Sequence, residues 1–440
     1  MPRKTDAAGG VLARCYWKLT LGEWISLTLA FLTIVVLFCL FFIRRQTVEL
    51  NLEHTYKVSS PEFFSSALAL ANPVPIGGNK IELLQNGDAY FPAMLEAIRG
   101  AQQTINFAAY IFKSDATGRQ FRDAFIEKAK SGVEVRVLLD GIGSGWSLDN
   151  SDVRMMTDNG VRFSYYHPVG SWRVDRTNRR SHRRVLVVDG KVAFTGGAAF
   201  ADKWTGNAQD KDHWRETHAR VEGPIVASLQ SAFQGHWVKA HKEALTGAGH
   251  FPPLEPAGNL RAQVVASESF SVAAIPLVQA ASFAAAERRI WITNPYCTPT
   301  DDQVNLLMKA VERGVDVRLL LPGPHHDQPI TESAGRTAYG KLLKSGVKIF
   351  EYQPTMIHAK TMVVDSTFSM IGSSNLDARS SEINEELDVV IDDEAFGRQM
   401  DEAFENDLKH SREYTLDEFN RRGIWERVTE YLTIPFRSQL

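Results

Sequence analysis

Cysteine is scarce in this chain of 440 residues. There are three, Cys15, Cys39 and Cys297, and their spacing matches neither a zinc site nor a disulfide framework. A basic excess is missing too. The net charge is -3, whereas a protein that grips long nucleic acid by its phosphates usually carries surplus Lys and Arg. No nucleic-acid partner is expected. No carboxylate cluster suits magnesium, and no metal or other cofactor is called for. One stretch lacks charge altogether: Trp24 to Ile43, WISLTLAFLTIVVLFCLFFI. Its length matches the about 20 residues that cross a hydrocarbon core of about 30 Å as a helix. It runs on into Arg44 and Arg45 with no small-residue cleavage site, so it reads as a retained membrane anchor rather than a signal peptide. Arg3, Lys4, Arg14 and Lys18 precede it, and Arg44, Arg45 and Lys57 follow. That cationic balance favours a cytoplasmic N-terminus.

What is present is a globular composition, 44% apolar and 23% charged. The length suits two average domains or one duplicated one. After the segments 1–23 and 24–43, residues 44–79 read as a linker. Then a pattern appears and returns. TINFAAYIF (Thr104 to Phe112) is answered by RIWITNPYC (Arg289 to Cys297). AKSGVEVRVLLDGIGS (Ala129 to Ser144) is answered by VERGVDVRLLLPGPHH (Val311 to His326). DNGVRFSYYHP (Asp158 to Pro168) is answered by KSGVKIFEYQP (Lys344 to Pro354). SHRRVLVVDGKVAFTGG (Ser181 to Gly197) is answered by IHAKTMVVDSTFSMIGS (Ile357 to Ser373). Four pairs in the same order argue for internal duplication. Each piece reads as a buried strand, and strands alternate with helix-like stretches that stop at Gly132 or Gly314. The expectation is an α/β chain with domains at 80–249 and 260–410, divided by the Pro-rich His250 to Asn259. Residues 411–440 read as a helical, partly amphipathic tail, which either packs on the domain or touches lipid.

The last pair carries chemistry. His182, Arg184 and Asp189 in the first half have the spacing of His358, Lys360 and Asp365 in the second. On a strand, residues two apart share a face, so each histidine and its cation aim at one spot. A lone histidine before an apolar strand is usually a core or rim residue. Two in matching places of a duplicated chain are different. Packed about a pseudo-two-fold axis, both rings and both cations meet at the seam, where a phosphate would relieve the like charge. One imidazole would then attack phosphorus while the other protonates the departing alkoxide. The cations would stabilise the transition state. Each ring needs an acceptor to fix its tautomer. Glu216 and Glu386, on the runs after each motif, are the candidates, with strand-capping surface charges as the other reading. Gly372, Ser373, Ser374 and Asn375, with Gly197 in the first half, offer donors to phosphate oxygens, although a plain turn uses the same residues.

These residues resemble the phospholipase D superfamily, whose signature is His-x-Lys-x4-Asp in two copies. IHAKTMVVD fits it fully, and SHRRVLVVD fits with arginine for lysine. VLLDGIGS, VVDGKVAFTGG, HWRETHARVEGP, ITNPY and GSSNLDARS are similar to the bacterial cardiolipin synthase branch, over roughly residues 80 to 435. The resemblance implies two phospholipase D-like domains, each a mixed sheet between helices, sharing one site. It implies His182 as nucleophile and His358 as general acid, with Arg184 and Lys360 on the phosphate. Asp189 and Asp365 would be mainly structural, and Glu386 an orienting carboxylate by its spacing from His358. Ala199 departs from the pattern, since asparagine is expected there as the counterpart of Asn375.

The expected function is a phosphatidyltransferase in a bacterial inner membrane, acting on phosphatidylglycerol. A hydrolase of the same fold, lipase or nuclease, is the alternative. A silent binder of anionic lipid is the third reading, supported by Arg184 and Ala199. Trp146, Trp172 and Trp204 either sit at the lipid interface or fill the core.

Overall fold

The computed structural model describes residues 20–41, 57–60, 63, 74–168, 178–267, 274–434 and 439, with side chains of the first helix described to Val36. Two units emerge, residues 1–43 and 44–440.

In the first unit, helix α1 spans Leu21–Phe41. Thr20 and Glu23 cap it reciprocally, each side chain accepting the other's backbone N–H. That cap starts the helix three residues before the uncharged run. Apolar side chains from Leu21 to Val36 are exposed. Among the described residues no helix is long and apolar enough to cross a membrane.

The second unit is built twice. The first half supplies β1 (Ile76–Gln85), β2 (Thr104–Ala109), β3 (Glu134–Asp140), β4 (Arg162–Tyr166), β5 (Val185–Val188), β6 (Val192–Gly196) and β7 (Thr217–Glu222). The second supplies β8 (Leu260–Ala266), β9 (Arg289–Thr293), the short β10 (Cys297–Thr298), β11 (Asp316–Pro322), β12 (Lys348–Tyr352), β13 (Thr361–Val364), β14 (Phe368–Gly372), the short β15 (Leu376–Asp377), β16 (Leu387–Asp392) and β17 (Ser411–Tyr414). In space the order is β1-β7-β6-β5-β2-β3-β4 in one half and β8-β16-β14-β13-β9-β11-β12 in the other. In both, β2–β3–β4 and β9–β11–β12 are parallel and the remaining pairs antiparallel. β1 pairs antiparallel with β8 and joins the two halves into one sheet.

The sequence dictates much of this. The helices Ala116–Lys130 and Asp301–Glu312 end just before Gly132 and Gly314, whose φ of 91° and 90° only glycine adopts without strain. Alternation in VLVV sends Leu186 and Val188 to one apolar core and Val185 and Val187 to another. The second core is shared. Val187, Val221, Phe233 and Trp237 of the first half pack there with Trp291, Val363, Ile371 and Phe404 of the second. Each half also has its own outer core.

Two boundaries move. The first strand begins at Ile76, inside the expected linker, because residues 76 and 79 already pair with β8. The expected tail opens with a strand, because residues 411–414 extend the exposed edge of β12; helices at Leu416–Asn420 and Ile424–Thr433 follow.

Candidate active site

His182 and Arg184 lie just before β5, and His358 and Lys360 just before β13. All four side chains are buried. The segments that carry them are stitched across the seam by backbone bonds. The His182 N–H donates to the Glu385 carbonyl at 2.9 Å, and the His358 N–H donates to the Arg215 carbonyl at 2.7 Å. Each histidine is therefore held beside the glutamate of the opposite half. The Nδ1–H of His182 donates to Glu386 Oε2 at 2.8 Å, and that of His358 to Glu216 Oε2 at 2.6 Å. Spacing along the chain ties Glu386 to His358; the structure pairs it with His182.

The other ring nitrogen faces the cation of its own motif. Arg184 Nη2 lies 2.9 Å from His182 Nε2, and Nη1 donates to the His182 carbonyl at 2.6 Å. Lys360 Nζ donates to the His358 carbonyl at 2.6 Å and lies against the ring, 3.0 Å from Nδ1 and 3.1 Å from Nε2. With Nδ1–H given to Glu386, His182 Nε2 carries its lone pair toward the cations, whereas His358 Nε2 carries a lone pair or a proton according to whether the Glu216–His358 pair has lost or kept its extra proton. Glu216 and Glu386 offset the charge of Arg184 and Lys360 within the protein, so an empty site does not require an anion to exist.

The two carboxylates are not alike. Glu386 accepts from His182, from Ser373 Oγ at 2.6 Å and from Ser380 Oγ at 2.7 Å. Burial pushes its pKa up, but those donors outweigh it and hold it below the usual range. Glu216 accepts from the Thr217 N–H at 2.8 Å and from His358. There burial wins over Lys360 and Arg184, and the pKa rises to about 7. Burial, reinforced by Arg184, lowers His182 to about 4. Burial also lowers Lys360 to about 7. The Glu216–His358 pair thus keeps a shared proton near neutrality that the Glu386–His182 pair does not.

Aromatic rings wall both histidines. Tyr110 stands edge-on to His182 at 5.0 Å and Tyr296 to His358 at 6.0 Å. Trp204 and Trp214 pack on His358 at 5.3 and 5.5 Å. Trp204 is buried, not at a lipid interface; Trp146 is 82% exposed; Trp172 lies outside the described residues.

Other expected site residues fall elsewhere. Asp189 accepts backbone N–H bonds from Gln102, Gln103 and Thr104. Asp365 accepts them from Glu287, Arg288 and Arg289. Both carboxylates pin the turn that enters the neighbouring strand, β2 or β9, rather than touching the rings. The donors expected of Gly372 and Ser373 are already used: the Gly372 N–H goes to the Lys360 carbonyl and the Ser373 N–H to Asp388 at 2.8 Å. A Cβ at Gly197 would meet the Glu216 carboxylate at 2.7 Å, and one at Gly372 would overlap Asp388. These two glycines make room for acidic side chains. Asn375 keeps a buried carbonyl oxygen without a partner; its counterpart Ala199 is packed among Phe side chains. Among the described residues no cluster of His, Cys, Asp or Glu is placed to hold a metal ion.

Comparison with known proteins gives the family. The family described as "Cardiolipin synthase, PLD-like domain" matches residues 94–237 and 280–408, once in each half. Cardiolipin synthase 1 of Bacillus cereus is 35% identical over 359 residues, covering 79% of this chain and 70% of that protein. Cardiolipin synthase A of Pseudomonas fluorescens is 35% identical over 371 residues, 80% of this chain and 75% of that one. Among solved structures, phosphatidylserine synthase of Haemophilus influenzae superposes with a TM-score of 0.66 at 14% identity, covering 85% of this chain and 99% of that chain; at that identity it speaks for the fold. The chain belongs to the cardiolipin synthases with phospholipase D-like domains, a family of phosphatidyltransferase enzymes.

Proposed function

We propose that this protein makes cardiolipin by moving a phosphatidyl group from phosphatidylglycerol to a second phospholipid, in two displacements at one phosphorus. His182 Nε2 attacks phosphorus, the bond from phosphorus to the glycerol oxygen breaks, and a phospho-histidine forms. In the protonated Glu216–His358 pair His358 carries Nε2–H; that proton passes to the leaving glycerol oxygen while the proton between Glu216 and Nδ1 stays on Nδ1. An acceptor hydroxyl then attacks, its proton returns to the His358–Glu216 pair, and His182 is released. Arg184 and Lys360 hold the phosphate oxygens as charge builds. Asn375, with its unused oxygen, is better suited to a hydroxyl or amide donor of the substrate than to phosphate.

One observation carries the assignment of roles, the unequal carboxylates: Glu386 is held ionised by Ser373 and Ser380, whereas Glu216 rises to about 7. His182 Nε2 accepts from Arg184 at 2.9 Å, so its lone pair is directed at the phosphate-binding cation. Its Glu386 is the more ionised of the two orienting carboxylates, which favours the imidazolium-like charge of attack. Helix α1, apolar on every described side, is read as the anchor that keeps the site at a bacterial inner membrane.

Purified full-length protein given labelled phosphatidylglycerol tests the reading. Cardiolipin with free glycerol is the expected product. Phosphatidic acid would instead indicate a hydrolase, and binding without turnover a silent lipid-binding protein. An acid-labile phospho-enzyme is expected from the wild type and not from His182→Ala. If His182→Ala still forms it, the nucleophile is misassigned.

A further inference from the structure

The helix Ile424–Thr433 leaves one face uncovered. Ile424, Trp425, Val428, Tyr431 and Leu432 are exposed, with Trp425 at 79% and Tyr431 at 73%. Their spacing, i, i+1, i+4, i+7 and i+8, is one stripe of a helix. On the opposite side Glu430 is buried and paired with Arg422, which lies just before the helix, at 2.5 Å. The helix packs on the helix Pro329–Ser345, whose own Ile330 is 61% exposed.

The ends of this segment border both sides of the active site. Gly423 and Glu426, at its start, line a cavity of about 660 Å³ that also contains His326 and Glu332. Those two residues line a smaller cleft that reaches Tyr296, the ring edge-on to His358. At the other end, the Gln439 carbonyl accepts from Arg379 at 3.0 Å. Arg379 adjoins Ser380, whose hydroxyl holds Glu386 beside His182. The described residues of the tail thus meet both flanks, toward His358 through Gly423 and Glu426 and toward His182 through Gln439.

We propose that this helix docks the catalytic unit on the surface of an anionic phospholipid bilayer and so presents the site to its lipid substrates. The inference rests on the lipid-transferase reading above. Three features select a bilayer over a protein partner. Trp425 and Tyr431 are the aromatic types that settle at headgroup level. Arg421 and Arg427 are exposed against one exposed carboxylate, Glu426, while Arg422 is paired with Glu430, and this positive excess complements an anionic surface. The start of the helix, Gly423 and Glu426, also lines the cavity that adjoins the cleft at Tyr296, beside a site read as acting on lipids.

Two measurements on the full chain decide it. In the first, hydrogen exchange of residues 424–434 is followed with the protein reconstituted in phosphatidylglycerol vesicles and in detergent. Slower exchange on vesicles is expected, and equal exchange overturns docking. The second compares wild type with the double variant Trp425→Asp, Tyr431→Asp. Turnover of phosphatidylglycerol in vesicles should fall at least about tenfold, with turnover of a short-chain, monomerically dissolved phosphatidylglycerol within about twofold of wild type. Unchanged vesicle turnover overturns docking, as does a variant that loses self-association and keeps vesicle turnover, which would assign the stripe to a second copy. If the wild type turns over neither substrate, the transferase reading fails, and the exchange measurement still decides docking.

Discussion

Glu216 of the first half and His358 of the second lie 2.6 Å apart, carboxylate to Nδ1, and Glu386 answers with His182 at 2.8 Å in the opposite sense. Neither half holds a finished catalytic dyad. Each ring takes its cation from its own motif and its carboxylate from across the seam, so the shared core and the cross-seam backbone bonds are conditions of the chemistry. The exchange also makes the site asymmetric. Two serine hydroxyls keep Glu386 ionised, while Glu216, with one backbone donor besides the ring, rises to about 7.

That asymmetry predicts different phenotypes for two like substitutions. Glu386→Gln should lower the rate of phospho-enzyme formation by about 10²–10⁴, since the nucleophile loses its orienting anion. Glu216→Gln should slow turnover of phosphatidylglycerol comparably. It should spare phospho-enzyme formation from a p-nitrophenyl phosphodiester, whose leaving group needs no proton. Rapid-quench measurement on both substrates checks this; equal losses on the activated ester would remove the distinction between the dyads.

The repeat, both histidines and both cations were legible in the sequence because they recur at fixed spacing on short strands. The partnering of His182 with Glu386 was not, because spacing relates residues only along one half and the pairing arises from packing two halves together. The same limit hid Ser373 and Ser380 as supports of Glu386. It also hid His236, which lies 2.9 Å from Ser181 Oγ and 2.7 Å from Glu385, bracing the residues beside His182 and Glu386. Tyr110 and Tyr296 left a usable signal: in each half a tyrosine follows closely after the strand β2 or β9, a place where a buried apolar run would otherwise turn to loop residues. Gly372 and Ser373 read as phosphate donors because a turn and an anion nest use the same residue types, and only coordinates show that Lys360 and Asp388 have taken those N–H groups.

Asp189 and Asp365 separate folding from catalysis. Each carboxylate accepts three backbone N–H bonds at a turn and touches no ring. Asp189→Ala or Asp365→Ala should cost about 1–3 kcal/mol for the donors left unpaired. Denaturant unfolding reads that loss. The folded fraction of each variant should keep kcat within about threefold of wild type, and a hundredfold loss in well-folded protein would give the aspartate a chemical role.

Arg184 stands where its counterpart is Lys360, and both reach the carbonyl and Nε2 of their own histidine, Lys360 touching Nδ1 as well. A lysine at 184 has a single ammonium for both, as Lys360 does. Arg184→Lys should therefore retain activity within about tenfold, whereas Arg184→Gln, which removes the charge, should lose about 10²-fold or more. Steady-state kcat and KM on phosphatidylglycerol distinguish them. Equal, severe loss in both variants would show that the planar guanidinium itself is required.

Anion affinity should fall as pH rises through about 7. Burial lowers Lys360 to about 7 in the empty site, so near neutrality its ammonium is only partly formed. A bound dianion favours the ammonium and raises that pKa. Glu216, also near 7, moves the same way, because the anion opposes its ionisation. Both groups take up protons on binding, so affinity is full below 7 and declines above it. Sulfate is the suitable probe, since it stays a dianion across this range. Its Kd should rise at least about tenfold from pH 6.5 to 8.5, the equivalent of one pKa unit or more of linkage. Calorimetry in buffers of different ionisation enthalpy should register net proton uptake. Lys360→Arg, charged throughout, should flatten the curve and leave only the Glu216 contribution, and Glu216→Gln should remove that remainder. A wild-type Kd independent of pH would mean that Lys360 is fully charged in the empty site, and that its carboxylate neighbours outweigh its burial.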